Sequence, residues 1–227
     1  MANTRQLTAL GSLKFFFSLL FWLPLTFFSL LLVYNTLPYF SFNPDFSFLQ
    51  ERIKLFVNPI WKYSFYIHIA AGAFCITTAL VQFSSYILKK RRGIHIYAGR
   101  IYVFVVLVLG APTGFYMAFF AKGGYWEKAC FLFMAIFWFL STYKGLQHIR
   151  NKNVLAHSHW MVRSYSMALT AVTFRIYHIL FFYSGLAHFD NYSISLWISV
   201  LGNMLFAEYI IYRQSKPYLK TIKTETL

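Results

Sequence analysis

Acidic residues are scarce in this sequence, and charged residues of either sign are few. Of its 227 residues only 6 are Asp or Glu, and 12% carry a charge, whereas 59% are hydrophobic. A soluble domain of this length needs more polar residues than that to cover its surface. The composition therefore excludes an ordinary water-soluble protein and indicates a chain whose surroundings are lipid.

Cysteine is rare, and recognisable catalytic motifs are missing. The two cysteines, Cys75 and Cys130, both lie inside apolar runs, which excludes a disulfide framework and a CxxC metal site. The sequence contains no phosphate-binding glycine loop, no H-E-x-x-H and no G-x-S-x-G. Catalytic residues therefore stay unknown. Because no linker divides the chain, residues 1–227 are expected to form a single integral membrane domain.

Six apolar segments are each long enough to cross a bilayer as a helix, for which about 20 residues are needed. They are Leu13–Tyr34, Tyr63–Leu88, Gly99–Phe120, Trp126–Leu146, Trp160–Tyr183 and Ile194–Tyr212. The pattern predicts an all-α, polytopic membrane helical bundle. Polar groups and stripes of small residues concentrate in the second to fifth segments, so we expect a four-helix core (helices 2–5) with the first and sixth packed outside.

Lys and Arg concentrate in alternate loops. The N-terminus, the second and fourth loops and the C-terminal tail hold most of them, and the fifth loop holds none. This alternation predicts that both termini are cytoplasmic and that the protein lies in the inner (cytoplasmic) membrane. It explains the formal charge of +15 without nucleic acid, and it predicts the bilayer and anionic lipids at its cytoplasmic face as partners. Protein partners stay unknown.

Ionisable groups inside a span are costly in lipid, so each one is a candidate functional residue. His68 in the second segment and His178 in the fifth lie at similar predicted depths from the outer ends. Arg175 shares a helix face with His178 through the i, i+3 spacing. We therefore expect these three residues to form one polar site in the outer half. No carboxylate lies at that depth, which favours a carbonyl, water, lipid phosphate or anionic ligand beside Arg175.

Three interpretations of this site stay open. Two histidines at matched depth on facing helices can be the axial ligands of haem b, with Arg175 meeting a propionate. In a quinone-binding or proton-relay role, the same residues form hydrogen bonds and do not bind iron. Alternatively, His68 and His178 make plain interhelical hydrogen bonds. No metal other than haem iron is expected at this pair.

A second polar group lies at the cytoplasmic end. His95 precedes the third segment and His157 precedes the fifth, and both are candidate cofactor-binding residues or ordinary histidines at headgroup level. Glu208 lies near the inner end of the sixth segment, and Arg100 and Arg163 enter at comparable depth. We expect a structural ion pair between Glu208 and these arginines, because pairing lowers the cost of burying both charges.

The first outer loop, residues 35–62, is the longest connection in the chain. Its segment from Asp45 to Phe56 has an apolar face and predicts a short helix that lies on the outer interface, with Asp45 as its cap.

Several motifs resemble those of one family. They are His68-Ile-Ala-Ala-Gly72 through Gln82-Phe83, His95-x-x-x-Gly99-Arg100-x-Tyr102, His157-x-x-Trp160-Met161-x-Arg163-Ser164-Tyr165, Arg175-x-Tyr177 and Asn203-x-x-x-x-Glu208. Over residues 60–213 the chain resembles the bacterial membrane proteins of domain of unknown function 2306 (DUF2306). The resemblance implies a polytopic membrane protein, and no activity. One departure is Ile96, which follows His95 where the family usually has Arg.

Two functions are consistent with these features. The first is a haem- or quinone-linked protein that moves electrons across the bilayer, with haem b as the candidate cofactor. The alternative is a non-enzymatic assembly or lipid-interacting factor in which the histidines are structural. A transporter ranks below both, because the sequence has no inverted repeat and no pair of broken helices.

Overall fold

The computed structural model describes residues 22–225, which form helices joined by short turns and contain no strand. The helices are α1 (residues 22–36, continued by a 3-10 turn over Leu37–Ser41), α2 (Ser47–Gln50), α3 (Ile53–Phe56), α4 (Pro59–Gln82), α5 (Ser85–Lys90), α6 (Arg92–Ala118), α7 (Tyr125–Arg150), α8 (Val154–Tyr183) and α9 (His188–Glu225). Six of them, α1 with its 3-10 turn, α4, α6, α7, α8 and α9, are long and apolar enough to cross a membrane. The predicted all-α bundle with six spans is confirmed. Residues 13–21 of the first predicted segment lie outside the described residues.

Four spans, α4, α6, α8 and α9, begin four to seven residues before their apolar segments predicted, and polar side chains cap two of them. The Asn58 side-chain oxygen accepts hydrogen bonds from the backbone of Ile60 at 2.9 Å and Trp61 at 3.4 Å, so α4 begins at Pro59. The Asn153 oxygen accepts one from the backbone of Ala156 at 3.1 Å, so α8 begins at Val154. A side chain that accepts from the first free N–H groups stabilises a helix start whatever the hydropathy there.

The core is built by the second to fifth spans together with the sixth. Helices α4, α6, α7 and α8 pack in sequence, and α8 also contacts α4. From α9, Leu196 and Val200 are fully buried in the same cluster as Trp138 of α7. The sixth span, α9, therefore belongs to the core, although the stripes of small residues predicted that it packs outside. Helix α1 is the least buried span and packs through Leu32 on α4 and α8.

Hydrogen-bonded hydroxyl groups join α6, α7 and α8 in the half of the bundle that contains the α7–α8 turn. The Tyr102 hydroxyl of α6 lies 2.9 Å from the Ser164 hydroxyl of α8, which lies 2.7 Å from that of Thr142 on α7. The Trp138 indole N–H donates to Tyr102 at 3.3 Å. Lipid offers polar groups no alternative partner, so such bonds orient the helices as well as hold them.

Residues 42–58 fold over one end of the bundle and are called the cap; that end is the cap end, and the opposite one the tail end. The cap contains two single-turn helices where the sequence predicted one. Leu49 is completely buried in a cluster with Trp61 of α4, so this segment packs into the bundle. Glu51 forms an exposed 2.7 Å ion pair with Lys122 of the α6–α7 loop.

The start of α7 depends on glycine. Gly123 has φ +100°, and a β-carbon there would lie 2.7 Å from the Glu127 side chain. Glu127 is buried, accepts a 2.6 Å hydrogen bond from the backbone of Gly124, and accepts another from the Ser193 hydroxyl of α9. The carboxylate therefore caps α7 and joins it to α9 at the cap end.

We predict that Asn203→Ala lowers the free energy of unfolding by about 1–2 kcal/mol. The Asn203 amide of α9 donates to the Ser166 carbonyl at 3.1 Å and to the Thr173 hydroxyl at 3.0 Å, both on α8. Unfolding in a detergent titration measures the loss. Asn151→Ala, in the exposed α7–α8 turn, is the control and should change little; equal losses in both variants would contradict the prediction.

Candidate functional site

The cap half of the bundle encloses a cavity of about 640 Å³, which all six spans and the cap line. Its volume lies in the range of small-molecule and cofactor sites, roughly 300–1,000 Å³. Most of the wall is apolar. Its ionisable side chains are Tyr39, Arg52, His68, Arg175 and Tyr192, and no carboxylate is among the described lining residues.

Small residues on facing helices leave this space open. Gly72 of α4 lines the cavity, and a β-carbon added there would meet no heavy atom within 4 Å. Opposite it, α6 widens into a π-helical stretch over Val105–Gly110, just before Pro112. Proline removes one backbone N–H, and a π-bulge of this kind commonly marks a functional site.

His68 is held in one orientation on the cavity wall. Its Nδ1 lies 3.0 Å from the Gly110 carbonyl oxygen, and a β-carbon at Gly114 would lie 2.8 Å from its Cε1. A carbonyl can only accept, so Nδ1 carries the proton and a neutral imidazole presents Nε2 as an acceptor. Nε2 has no hydrogen-bond partner among the described residues, so it is free to meet a ligand.

Arg175 of α8 lies on the same cavity. Its Nη1 donates to the Ala171 carbonyl of its own helix at 2.6 Å. The side chain is exposed although it lies within a span, and it is one of the residues that line the cavity. Among the described residues Arg175 forms no ion pair. The backbone carbonyl expected from the sequence is present, and the other guanidinium N–H groups remain available.

His178 lies outside the cavity lining. Its ring stacks on Phe174 with centroids 5.6 Å apart and meets His188 edge-on at 6.1 Å. Three residues advance a helix by about 300°, which leaves His178 about 60° away from Arg175 and turned towards the start of α9. The structure thus places His68 and Arg175 on the wall of one cavity and His178 outside its lining, so two of the three expected residues share the cavity.

At the tail end Arg163 pairs with Glu208. Nε and Nη2 of Arg163 lie 2.5 Å and 2.8 Å from the two carboxylate oxygens, a bidentate geometry. The Arg163 guanidinium also lies 4.7 Å from the centroid of the Trp160 ring. Arg100 is exposed and joins no ion pair in the described part of the chain. Of the two expected arginine partners, the structure places one against Glu208.

His95 and His157 lie near each other at the tail end, away from the cavity. His157 Nδ1 is 2.8 Å from the Gly145 carbonyl oxygen, which fixes its ring. His95 accepts a 2.9 Å hydrogen bond from Gln82 through its backbone, and its buried Nδ1 has no partner within residues 22–225. No group of three or more His, Cys, Asp or Glu able to hold a metal ion occurs among those residues.

Sequence reasoning missed Arg52 and Tyr39, which belong to the cap and to the turn after α1. Both lie in the longest loop, which its hydropathy predicts to lie among lipid headgroups and water. The one signal was the place of Arg52 in the segment from Asp45 to Phe56, for which the sequence predicts an apolar face. Leu49 packs against Trp61, and Arg52, three residues further along the chain, lines the cavity.

Comparison with known proteins gives one match. A family model described as "Predicted membrane protein (DUF2306)" matches residues 65–211. Those residues include every candidate named above except the cap residue Arg52 and Tyr39. No curated protein and no solved structure matches the chain.

We predict that Arg163→Gln and Glu208→Gln each destabilise the protein and that the double variant recovers part of the loss. Each single variant leaves the opposite charge without its partner at the membrane surface, whereas the double variant leaves none. The coupling free energy between the two substitutions should be at least about 1 kcal/mol. A much larger value is not expected, because Glu208 is half exposed. A double-mutant cycle on detergent unfolding measures it, and strictly additive losses would contradict the pairing.

Proposed function

The chain belongs to the DUF2306 family of membrane proteins, and we propose that it is a membrane-embedded binding protein that holds one lipid-like molecule in the cavity between its spans. One observation supports this above the others. The cavity has apolar walls suited to a hydrocarbon body, and it carries guanidinium and imidazole groups suited to a polar head. Binding sites for small lipophilic molecules combine these two properties.

Of the functions open from the sequence, the lipid-interacting factor fits this geometry best. Haem b bound between His68 and His178 needs both imidazoles on one cavity, and His178 lies outside the lining. His95 and His157 lie at the other end of the bundle. The axial pair that favoured haem in the sequence therefore has no support from the placement of the side chains.

A quinone is the second candidate. His68 presents a free Nε2 acceptor beside an apolar wall, and a hydroquinone hydroxyl is a suitable donor to it. Guanidinium donors from Arg175 would meet the opposite oxygen, which accepts a hydrogen bond both as a hydroquinone hydroxyl and as a quinone carbonyl. This candidate keeps the electron-transfer function proposed from the sequence, with a diffusing carrier in place of a fixed cofactor.

We predict that Gly72→Leu removes a bound lipophile that co-purifies with the parent protein. A β-carbon at this position would meet no heavy atom within 4 Å, and the rest of the leucine side chain extends into the cavity. Leucine also favours helix over glycine, so we expect the fold to be kept. Organic extraction of the purified protein followed by mass spectrometry identifies and quantifies lipid, quinone or haem. The expected result is at least a tenfold loss.

Gly202→Leu is the matched control. Gly202 lies on α9 outside the cavity lining, and a β-carbon there also meets no heavy atom within 4 Å. This variant should keep the parent's ligand content. A parent preparation without any stoichiometric lipophile, or equal content in all three proteins, would refute the proposed function.

We further propose that the cap end faces outwards and that both termini are cytoplasmic, in the inner membrane with anionic lipids at the tail end. Lys89, Lys90, Arg91 and Arg92 lie together in the α5–α6 region at that end, which supports this orientation. A reporter fused to the C-terminus should be active only when it senses the cytoplasm. Activity of an outside-sensing reporter at the same position would reverse the orientation.

A further inference from the structure

The cap brings a second arginine to the cavity. Arg52 Nη1 donates to the Phe120 carbonyl at 2.9 Å, and its guanidinium carbon lies 4.9 Å from the centroid of Phe48. Its Nε is buried and has no hydrogen-bond partner among the described residues. Burial lowers the pKa of Arg52 from its ordinary value, with Tyr192 and Glu51 opposing this effect. The group stays charged, since arginine is protonated at every accessible pH.

The two cavity arginines flank one aromatic pair. Phe48, which lies under Arg52, meets Tyr39 edge-on with ring centroids 6.4 Å apart. Tyr39 and Arg175 both line the cavity, within electrostatic range of each other. Arg52 and Arg175 therefore reach the same cavity from the cap and from α8.

No described acid forms an ion pair with either arginine. Glu51 is the neighbour of Arg52 in sequence, yet its carboxylate pairs with Lys122 on the outside. Glu127, the buried carboxylate at this end, accepts from Gly124 and Ser193. Two guanidinium groups on a largely apolar cavity wall within the membrane carry a desolvation cost, which a bound anion lowers.

We propose that Arg52 and Arg175 form an anion subsite at the cap end of the cavity, which binds a phosphate group. The subsite rests on the proposed function, because it names the head of the molecule that the cavity holds. Guanidinium groups donate in a planar fork that matches the oxygens of phosphate. The apolar wall that continues past His68 gives the body of a phospholipid its place, so a lipid phosphate is the first source and free phosphate the second.

The test compares ligand selectivity in the full-length protein. Thermal unfolding in detergent is followed during titration with phosphatidylglycerol, with phosphatidylcholine at equal chain length, with an uncharged diacylglycerol, and with inorganic phosphate. Phosphatidylglycerol should stabilise the parent more than diacylglycerol does. Arg52→Gln and Arg175→Gln should each weaken phosphatidylglycerol binding at least tenfold and leave diacylglycerol binding unchanged.

Lys54→Gln is the control for the loss of one positive charge in the cap, because Lys54 is exposed and outside the cavity lining. It should bind phosphatidylglycerol as the parent does. Stabilisation by the phospholipids alone identifies a lipid phosphate, and equal stabilisation by inorganic phosphate identifies free phosphate; either supports the subsite. Unchanged phosphatidylglycerol preference in both arginine variants overturns it.

The outcomes separate this inference from the function on which it rests. If Gly72→Leu loses a bound lipophile while the arginine variants keep it with unaltered selectivity, the cavity binds its ligand without an anion subsite. If the parent binds none of the four compounds and contains no lipophile, both proposals are wrong. Should one arginine variant fail to fold, the other alone decides the question, since each contributes independently to the subsite.

Discussion

Hydrocarbon offers no partner to a backbone amide or a charged group, and this constraint shapes the protein at every level. It makes each crossing segment a helix, because only a helix satisfies its own backbone. It explains why Arg163 meets Glu208 with two hydrogen bonds, and why hydroxyls of three helices meet at Ser164. It also makes the guanidinium groups of Arg52 and Arg175 informative, because neither forms an ion pair with a described residue.

The spans were predictable from the sequence because length and hydropathy alone decide them. Their ends were less so: Asn58 and Asn153 extend α4 and α8 by capping, a local effect that hydropathy does not register. The Arg163–Glu208 pair was predictable because depth follows from counting along a helix. The prediction for His178 depended on its depth along α8, whereas its direction around the helix axis also decides what it contacts. The rotation of α8 turns it towards His188 and away from the cavity.

A stripe of Gly and Ala usually lets two helices come into close contact, and the sequence predicted such packing for the second to fifth spans. Gly72 differs, because it lines the cavity and an added β-carbon there would meet no heavy atom within 4 Å. Pro112 is visible in the sequence, whereas the π-helical stretch that precedes it on α6 is not. The cap residue Arg52 was hidden for a related reason, since loop hydropathy says nothing about which side chain folds inwards.

The last helix is longer than the membrane is thick. At 1.5 Å per residue the 38 residues of α9 measure about 57 Å, against about 30 Å of hydrocarbon. Its apolar span ends at Ser215, so residues 216–225 continue the same helix beyond that span. At its other end α9 lines the cavity through Tyr192 and Leu196. One helix therefore connects the cavity wall with the chain beyond the apolar span.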